Sequence, residues 1–277
     1  MDQFRPQRFE ILPFAVKNLL IINGLMFAAT FVFKNTMNVN LIRVLGLHYF
    51  TSDQFQPYQL ISHMFMHGSV IHIFSNMFAL WMFGSALENI WGTKKFLTFY
   101  FSCGLGGALM HLGITWWNYQ GIEQDVISYQ LHPGLTEFVS LIQRHSDVLS
   151  GGYAKSINDF YNNWRSNPAD PTFLEASRQM STVVLKAFAD VPIVGASGAV
   201  FGVLVAFGLL FPNVYLYLYF FFPLKAKYFV IFYAAFELYA GISGSQDGVA
   251  HFAHIGGALV GFIIVKYWGR NLRKKFF

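Results

Sequence analysis

Six long apolar segments divide this chain and limit its possible folds. They lie at about residues 14–33, 71–87, 96–117, 195–211, 228–242 and 249–268. A helix that spans a bilayer needs about 20 mainly apolar residues, and shorter segments suit helices that are surrounded by protein. The composition agrees, because 12% of the residues are charged against about 25% in soluble domains. The sequence therefore predicts an all-α polytopic membrane protein with six transmembrane helices.

The basic residues predict which ends of these helices face the cytoplasm. Cytoplasmic loops carry an excess of lysine and arginine. If the N-terminus is cytoplasmic, twelve of the 19 such residues fall on that side. They are Arg5, Arg8, Lys17, Lys94, Lys95, Lys225, Lys227, Lys266, Arg270, Arg273, Lys274 and Lys275. The net charge of +5 therefore reflects topology rather than nucleic-acid binding, and both termini are predicted to be cytoplasmic.

A long polar stretch separates the third and fourth apolar segments. The predicted domain organisation is 1–113 for core helices one to three, 114–192 for a helical insertion on the outer face, and 193–277 for core helices four to six with a basic cytoplasmic tail. The insertion either contacts a substrate or restricts entry to a site, or else it packs on the helix bundle for stability or mediates self-association. The sequence leaves these two roles open.

The insertion is predicted to contain three helices. Apolar residues recur at helical spacing over residues 135–149 and 153–164, and Asp170 followed by Pro171 is typical of the start of a third helix. The second helix carries an apolar stripe, which we expect to be buried on the transmembrane bundle or in the lipid interface. This stripe consists of Tyr153, Ile157, Phe160, Tyr161 and Trp164.

Two apolar segments begin with residues that suit nucleophilic catalysis. The fourth opens with Ser197 among small residues, in the run VGASGAVFG, and the sixth opens with His251 and His254. A serine on one helix and a histidine base on the other would form a hydrolase within the bilayer. Each run taken alone also fits small-residue packing between transmembrane helices.

The second apolar segment is preceded and entered by further polar residues. His72 and Asn76 are four residues apart and share one helix face, where polar groups within a membrane are candidates for function. His63 and His67 have an alternative role as interfacial residues that help to cap the helix. The histidine pairs also have ligand-like spacing, but no His-Glu-x-x-His motif accompanies them, so neither a metal nor a cofactor is predicted.

These pieces together resemble the rhomboid intramembrane serine proteases. The matching motifs are His67 with the His72-x-x-x-Asn76 pair, then Gly195-x-Ser197-Gly198, then Ala253-His254-x-x-Gly257. They occur in the order and on the helices that the family uses. The resemblance covers about residues 11–113 and 193–269, and it implies a six-helix rhomboid bundle.

The resemblance also implies a role for each matching residue. Ser197 would be the nucleophile and His254 its base, in a dyad with no orienting carboxylate, since no acidic residue lies near either motif in the sequence. His72, Asn76 and the backbone N–H of Ser197 would stabilise the oxyanion. The supporting residues would be Phe201, stacked on the catalytic histidine, and Gly195, Gly198 and Gly257, which allow close helix approach.

Three other polar residues lie in or beside the apolar segments, and their predicted roles are less specific. Glu88 resembles a family residue that ties helix ends together. His251 is expected to start its helix facing the cavity or solvent. Glu237 has no counterpart in the family motifs.

The resemblance finally implies an activity and a location. We expect a rhomboid-type serine endopeptidase that hydrolyses single-span membrane proteins next to membrane lipid, as a multi-pass protein of the bacterial inner membrane. The alternative is a catalytically silent rhomboid-like protein that binds or escorts membrane clients. Silent relatives typically lack the serine or the histidine, and both residues are present here.

Overall fold

Helices account for most of the chain in the computed structural model, which describes residues 9–218, 221–244 and 249–273. In chain order they are α1 (Phe14–Met37), α2 (Leu41–Leu45), α3 (Gln59–Ser62), α4 (Val70–Ala79), α5 (Ser85–Trp91), α6 (Thr93–Leu131), α7 (Leu135–Arg144), α8 (Gly151–Ser166), α9 (Thr172–Ala189), α10 (Ser197–Leu210), α11 (Ala226–Ser243) and α12 (His251–Arg273). A single 3-10 turn, His63–Phe65, follows α3, and a π turn, Leu80–Gly84, joins α4 to α5.

Four helical stretches are long and apolar enough to cross a membrane. They are Phe14–Met37, Val70–Trp91, Thr93–Leu131 and His251–Gly269, and Ser197–Leu210 is a shorter apolar helix. The chain is therefore an integral membrane protein. Of the basic residues used to predict its orientation, Arg5, Arg8, Lys274 and Lys275 lie outside the described residues.

The chain divides into two compact units. The first contains Met1–Leu47, Pro57–His111 and Ile193–Phe277, and the second contains His48–Gln56 and Leu112–Pro192. Within the first unit, α10 is the most enclosed helix, with ten of its 14 residues buried. A helix that is apolar on all sides is suited to such a position inside a bundle.

Glu88, at 3% exposure, ties the start of α1 to the junction between α5 and α6. Its carboxylate accepts hydrogen bonds from the backbone N–H groups of Ala15 (2.8 Å) and Val16 (2.9 Å) and from the hydroxyl of Thr93 (2.7 Å). The first N–H groups of a helix lack partners within the helix, and negative charge is favourable there. The structural role predicted for Glu88 is confirmed.

A short antiparallel hairpin between α10 and α11 departs from the predicted all-α fold. Strands β1 (Tyr215–Leu218) and β2 (Phe222–Lys225) pair with Tyr215 opposite Lys225 and Tyr217 opposite Pro223. Aromatic residues favour strands, and this connection is rich in them. The sequence predicted only a loop with basic residues here, so the hairpin was not predicted.

Helix α6 is much longer than the predicted third segment. The predicted limit between residues 113 and 114 falls inside this helix, which continues to Leu131. It ends just before Pro133 and Gly134, residues that disfavour further helix. Helices α7, α8 and α9 agree with the three helices predicted for the insertion, and the Asp170 carboxylate accepts a hydrogen bond from the Thr172 N–H at 2.9 Å, at the start of α9.

The second unit has a hydrophobic core of its own, so the expectation for the apolar stripe of α8 was wrong. Ile157 and Trp164 are buried in the core that this unit forms from its own helices. The Trp164 ring lies 6.0 Å from Phe138 of α7 and 6.4 Å from Phe173 of α9, measured between ring centroids. The stripe is apolar because α7 and α9 cover it.

Candidate active site

Ser197 is the first residue of α10, directly after a turn that requires glycine. Gly195 has a φ of +128°, in the region that side chains disfavour, and its N–H donates to the carbonyl oxygen of His63 at 2.9 Å. This bond fixes the chain just before the helix. The N–H groups of the first helical turn have no partner inside the helix, so the Ser197 backbone N–H is available as a donor.

His254 of α12 lies next to this serine. Its Nε2 is 2.8 Å from the Oγ of Ser197, which is hydrogen-bond distance. Small residues permit the approach of the two helices, because a Cβ added to Gly257 would come within 1.8 Å of the Gly198 carbonyl oxygen. Gly107 of α6 packs equally closely against α12, because a Cβ added there would lie 2.6 Å from the carbonyl oxygen of Ala253.

Phe201 holds the ring plane of His254. The two rings stack with centroids 4.2 Å apart and planes at 8°. Phe201 also contacts the ring of Tyr233 on α11, with centroids 4.8 Å apart. Phe201 follows Ser197 by one helical turn, so α10 supplies both the serine and the ring beside the histidine. The stacking implied by the resemblance is present.

His72 of α4 approaches the serine from another side, and Asn76 follows it on the same helix one turn later. A Cβ built on Gly195 would lie 2.7 Å from His72 Nε2 and 3.5 Å from Ser197 Oγ, so both groups adjoin the space above this glycine. The Nδ2 of Asn76 is buried and has no hydrogen-bond partner in the described part of the chain. A buried donor without a hydrogen-bond partner destabilises the fold, unless a ligand accepts its hydrogen bond. The structure thus brings together Ser197, His254 and His72.

The absence of a nearby carboxylate, expected from the sequence, is contradicted. The Oε2 of Glu237 on α11 lies 2.7 Å from Nδ1 of His254 and 2.8 Å from Nδ1 of His251. Glu237 was missed because it is remote from both motifs in the sequence. A lone acidic residue in an apolar helix was the available signal, since ionisable residues within membranes are candidates for function.

His251 also differs from expectation. It begins α12 as predicted, but of the two predicted surroundings, cavity or solvent, solvent is contradicted, because its side chain is 5% exposed and contacts Glu237. Together Glu237, His251 and His254 form the group that could hold a metal ion among the described residues, with donor atoms within 4.8 Å of one another. A tetrahedral ion with bonds of about 2.0–2.1 Å would separate its ligand atoms by about 3.3 Å. The contacts of Glu237 with both imidazoles are shorter than this and are therefore hydrogen bonds. To bind a metal ion, the carboxylate oxygen and the two imidazole nitrogens would have to move apart.

His63 and His67 lie outside this contact network but border the site. Nδ1 of His63 donates to the Gln59 carbonyl oxygen at 2.8 Å, and the buried ring of His67 packs edge-on against His72 at 5.0 Å. His63 also lines a narrow cleft beside Ser197. The other residues of this cleft include Gly104, Gly107, Ile193, Val194, Gly195 and Ala253.

The site and fold together define a helical membrane protein in which a serine on one apolar helix is hydrogen-bonded to a histidine on another. The family model described as the Rhomboid domain matches residues 54–122 and 173–271, which is more than half of the chain. This chain belongs to the rhomboid family. The matched regions contain every candidate site residue, and residues 123–172, which include α7 and α8, fall outside them.

Similarity to a curated protein covers a shorter stretch. The chain is 32% identical over 87 residues to the "Presenilin-associated rhomboid-like protein, mitochondrial" of Bos taurus. This match includes 30% of the present chain and spans 23% of the length of that relative.

Proposed function

We propose that this protein is an intramembrane serine endopeptidase in which Ser197 is the nucleophile and His254 the general base. The observation that carries the proposal is the 2.8 Å contact between Ser197 Oγ and His254 Nε2. A serine hydroxyl is a weak nucleophile until an adjacent base takes its proton, and this contact supplies the base. A catalytically silent rhomboid-like protein would not need to keep this pair in register.

The proposed reaction is acyl transfer. Ser197 Oγ attacks the scissile carbonyl carbon while its proton passes to His254 Nε2, and the same proton then passes to the leaving amine. Water hydrolyses the resulting acyl-enzyme with His254 again as base. His72, Asn76 and the Ser197 N–H are the donors for the oxyanion, because preorganised donors shielded from bulk water stabilise developing charge strongly.

The proposed substrates are single-span membrane proteins. The cleft beside Ser197 is narrow, which favours a small side chain next to the scissile bond. We further propose six transmembrane helices (α1, α4 with α5, α6, α10, α11 and α12), cytoplasmic termini in a bacterial inner membrane, and an outer-face insertion.

The test is cleavage of a single-span reporter in proteoliposomes. The reporter carries an alanine at the outer end of its transmembrane helix, and products are identified by mass spectrometry. Wild type and Ser243→Ala, whose hydroxyl donates to the Ala240 carbonyl oxygen of its own helix, are expected to cleave equally. Ser197→Ala and His254→Ala are expected to be inactive. A reporter that binds wild type but is never cleaved would support the silent alternative.

A further inference from the structure

Glu237 is directed from α11 toward α12. Its side chain is 3% exposed, whereas Phe236 and Tyr239 on the same helix are exposed to 57% and 71%. The carboxylate oxygen Oε2 lies 2.7 Å from Nδ1 of His254. It therefore contacts the ring nitrogen on the side of His254 opposite to Ser197.

A carboxylate in this position is energetically unfavourable by itself. A buried charge is strongly destabilising unless it is paired and hydrogen-bonded. The other charged residue of α11, Lys227, lies at the start of the helix, ten positions before Glu237. Neighbouring helices in membranes pack well through small or apolar residues, so helix packing alone does not require a glutamate here.

The two contacts of His254 together specify its tautomer. To accept the Ser197 proton, Nε2 must carry no hydrogen, so the neutral ring must carry its hydrogen on Nδ1. Glu237 Oε2 is the acceptor for that Nδ1–H. When Nε2 takes the serine proton, positive charge develops on an imidazole that already adjoins a carboxylate.

We propose that Glu237 is a positioning residue for His254, so that Ser197, His254 and Glu237 act as a triad rather than the expected dyad. This inference rests on the proposed protease function. Glu237 keeps Nδ1 of His254 protonated and stabilises the imidazolium, as the carboxylate does in serine-protease triads, and takes up no proton itself. The transferred proton moves only between Ser197 Oγ, His254 Nε2 and the leaving amine.

His251 completes the arrangement by fixing the carboxylate. Its Nδ1 lies 2.8 Å from the same oxygen of Glu237. Oε2 therefore accepts a hydrogen bond from each of two imidazoles on the first turn of α12. Two hydrogen bonds at one oxygen orient the carboxylate and offset part of its desolvation. His251 acts on His254 only through Glu237, so His251→Ala is expected to cost less turnover than Glu237→Gln.

The experiment compares Glu237→Gln, Glu237→Asp and wild type in reporter cleavage, with kcat and KM determined separately on protein from the folded size-exclusion peak. Glu88→Gln is the matched control, because it makes the same change at another buried carboxylate that supports α1. Thermal unfolding of every variant measures any structural effect.

A positioning role predicts that Glu237→Gln lowers kcat by roughly 10²–10⁴-fold with KM changed less than about three-fold, as loss of a triad carboxylate does elsewhere. Glu237→Asp, which retains a retracted carboxylate, is expected to lie between Gln and wild type. Glu88→Gln should lower thermal stability and leave the kcat of folded protein unchanged. If Glu237→Gln does not fold, Glu237→Asp decides the test, with a loss of at least about ten-fold in kcat expected.

Wild-type kcat in folded Glu237→Gln, or in folded Glu237→Asp if Gln does not fold, would overturn the positioning role. Failure of the underlying function looks different. If Ser197→Ala cleaves as well as wild type, the protease proposal itself is wrong. If Ser197→Ala is inactive while Glu237→Gln is fully active, the protease stands with a dyad and only the triad is rejected.

Discussion

The Cα atoms of Gly257 and Gly198 lie so close that a Cβ on Gly257 would come within 3.0 Å of Gly198 Cα, and within 1.8 Å of its carbonyl oxygen. Gly198 follows Ser197 and Gly257 lies three residues after His254. The contact between the two proposed catalytic residues thus depends on helix backbones that meet without intervening side chains.

Gly257→Ala is therefore expected to separate α10 from α12 and to weaken the Ser197–His254 contact. We expect a fall in kcat of at least about ten-fold, since misplacement by about 1 Å can cost about 10²-fold. Reporter cleavage and thermal unfolding measure the effects. Gly24→Ala is the matched control, because nothing lies within 4 Å of a Cβ at that position of α1. Wild-type kcat in Gly257→Ala would show that the tight crossing is not needed.

His72→Ala and Asn76→Ala are expected to lower kcat rather than raise KM. Each removes one donor for the oxyanion, and loss of a well-placed donor costs roughly 10²–10³-fold in rate. The two donors can partly replace each other, so the double variant gives the decisive value. Steady-state cleavage kinetics measure the split, and wild-type kcat in the double variant would exclude the oxyanion role.

Glu88→Gln is expected to destabilise the first unit. The amide cannot provide two charged acceptors to the N–H groups of Ala15 and Val16, and hydrogen bonds to charged groups contribute about 1.5–3 kcal/mol each. Thermal unfolding in detergent is expected to occur several degrees lower than in wild type. An unchanged unfolding temperature would mean that the carboxylate charge adds nothing to the capping of α1.

Asp190 is expected to make the second unit sensitive to acid. Burial raises the pKa of its carboxyl, but hydrogen bonds from the hydroxyls of Ser52 and Tyr153 outweigh burial and hold the pKa below its ordinary value. A lowered pKa in the folded state stabilises the protein above the ordinary pKa of about 3.9, and this stabilisation is lost as the pH falls through the folded pKa.

Hydrogen exchange of α8 and α9 between pH 7 and pH 3 measures this effect, after correction for the intrinsic exchange rate. At pH 7, Asp190→Asn should exchange faster than wild type, and the difference should shrink as the pH falls. A difference that stays constant over this range would assign the effect to packing rather than to the charge of Asp190.

Much of the fold follows from local sequence signals. Four of the six predicted apolar segments correspond to helical stretches long and apolar enough to cross a membrane, and helical spacing with Asp170 and Pro171 predicted α7, α8 and α9. The hairpin at Tyr215–Lys225 was missed because a strand pair depends on a partner segment rather than on one run. The burial of Trp164 was misjudged because an amphipathic face does not specify which element covers it.

The site shows the same division. The motifs with fixed spacing predicted that Ser197, His254 and His72 lie together, as the structure has them; their catalytic roles stay predictions, as does the role of Asn76. The contact of Glu237 with His251 and His254 was not predicted, because it depends on how α11 packs against α12, and no local pattern encodes that packing.

Labelling with a serine-reactive fluorophosphonate probe reports the nucleophile without any assumption about the substrate. We expect covalent labelling of wild type at Ser197, located by mass spectrometry. We expect none in Ser197→Ala and a strongly reduced rate in His254→Ala, with Ser243→Ala labelled as wild type. Equal labelling of wild type and Ser197→Ala, or no labelling of folded wild type, would contradict the proposed role of Ser197.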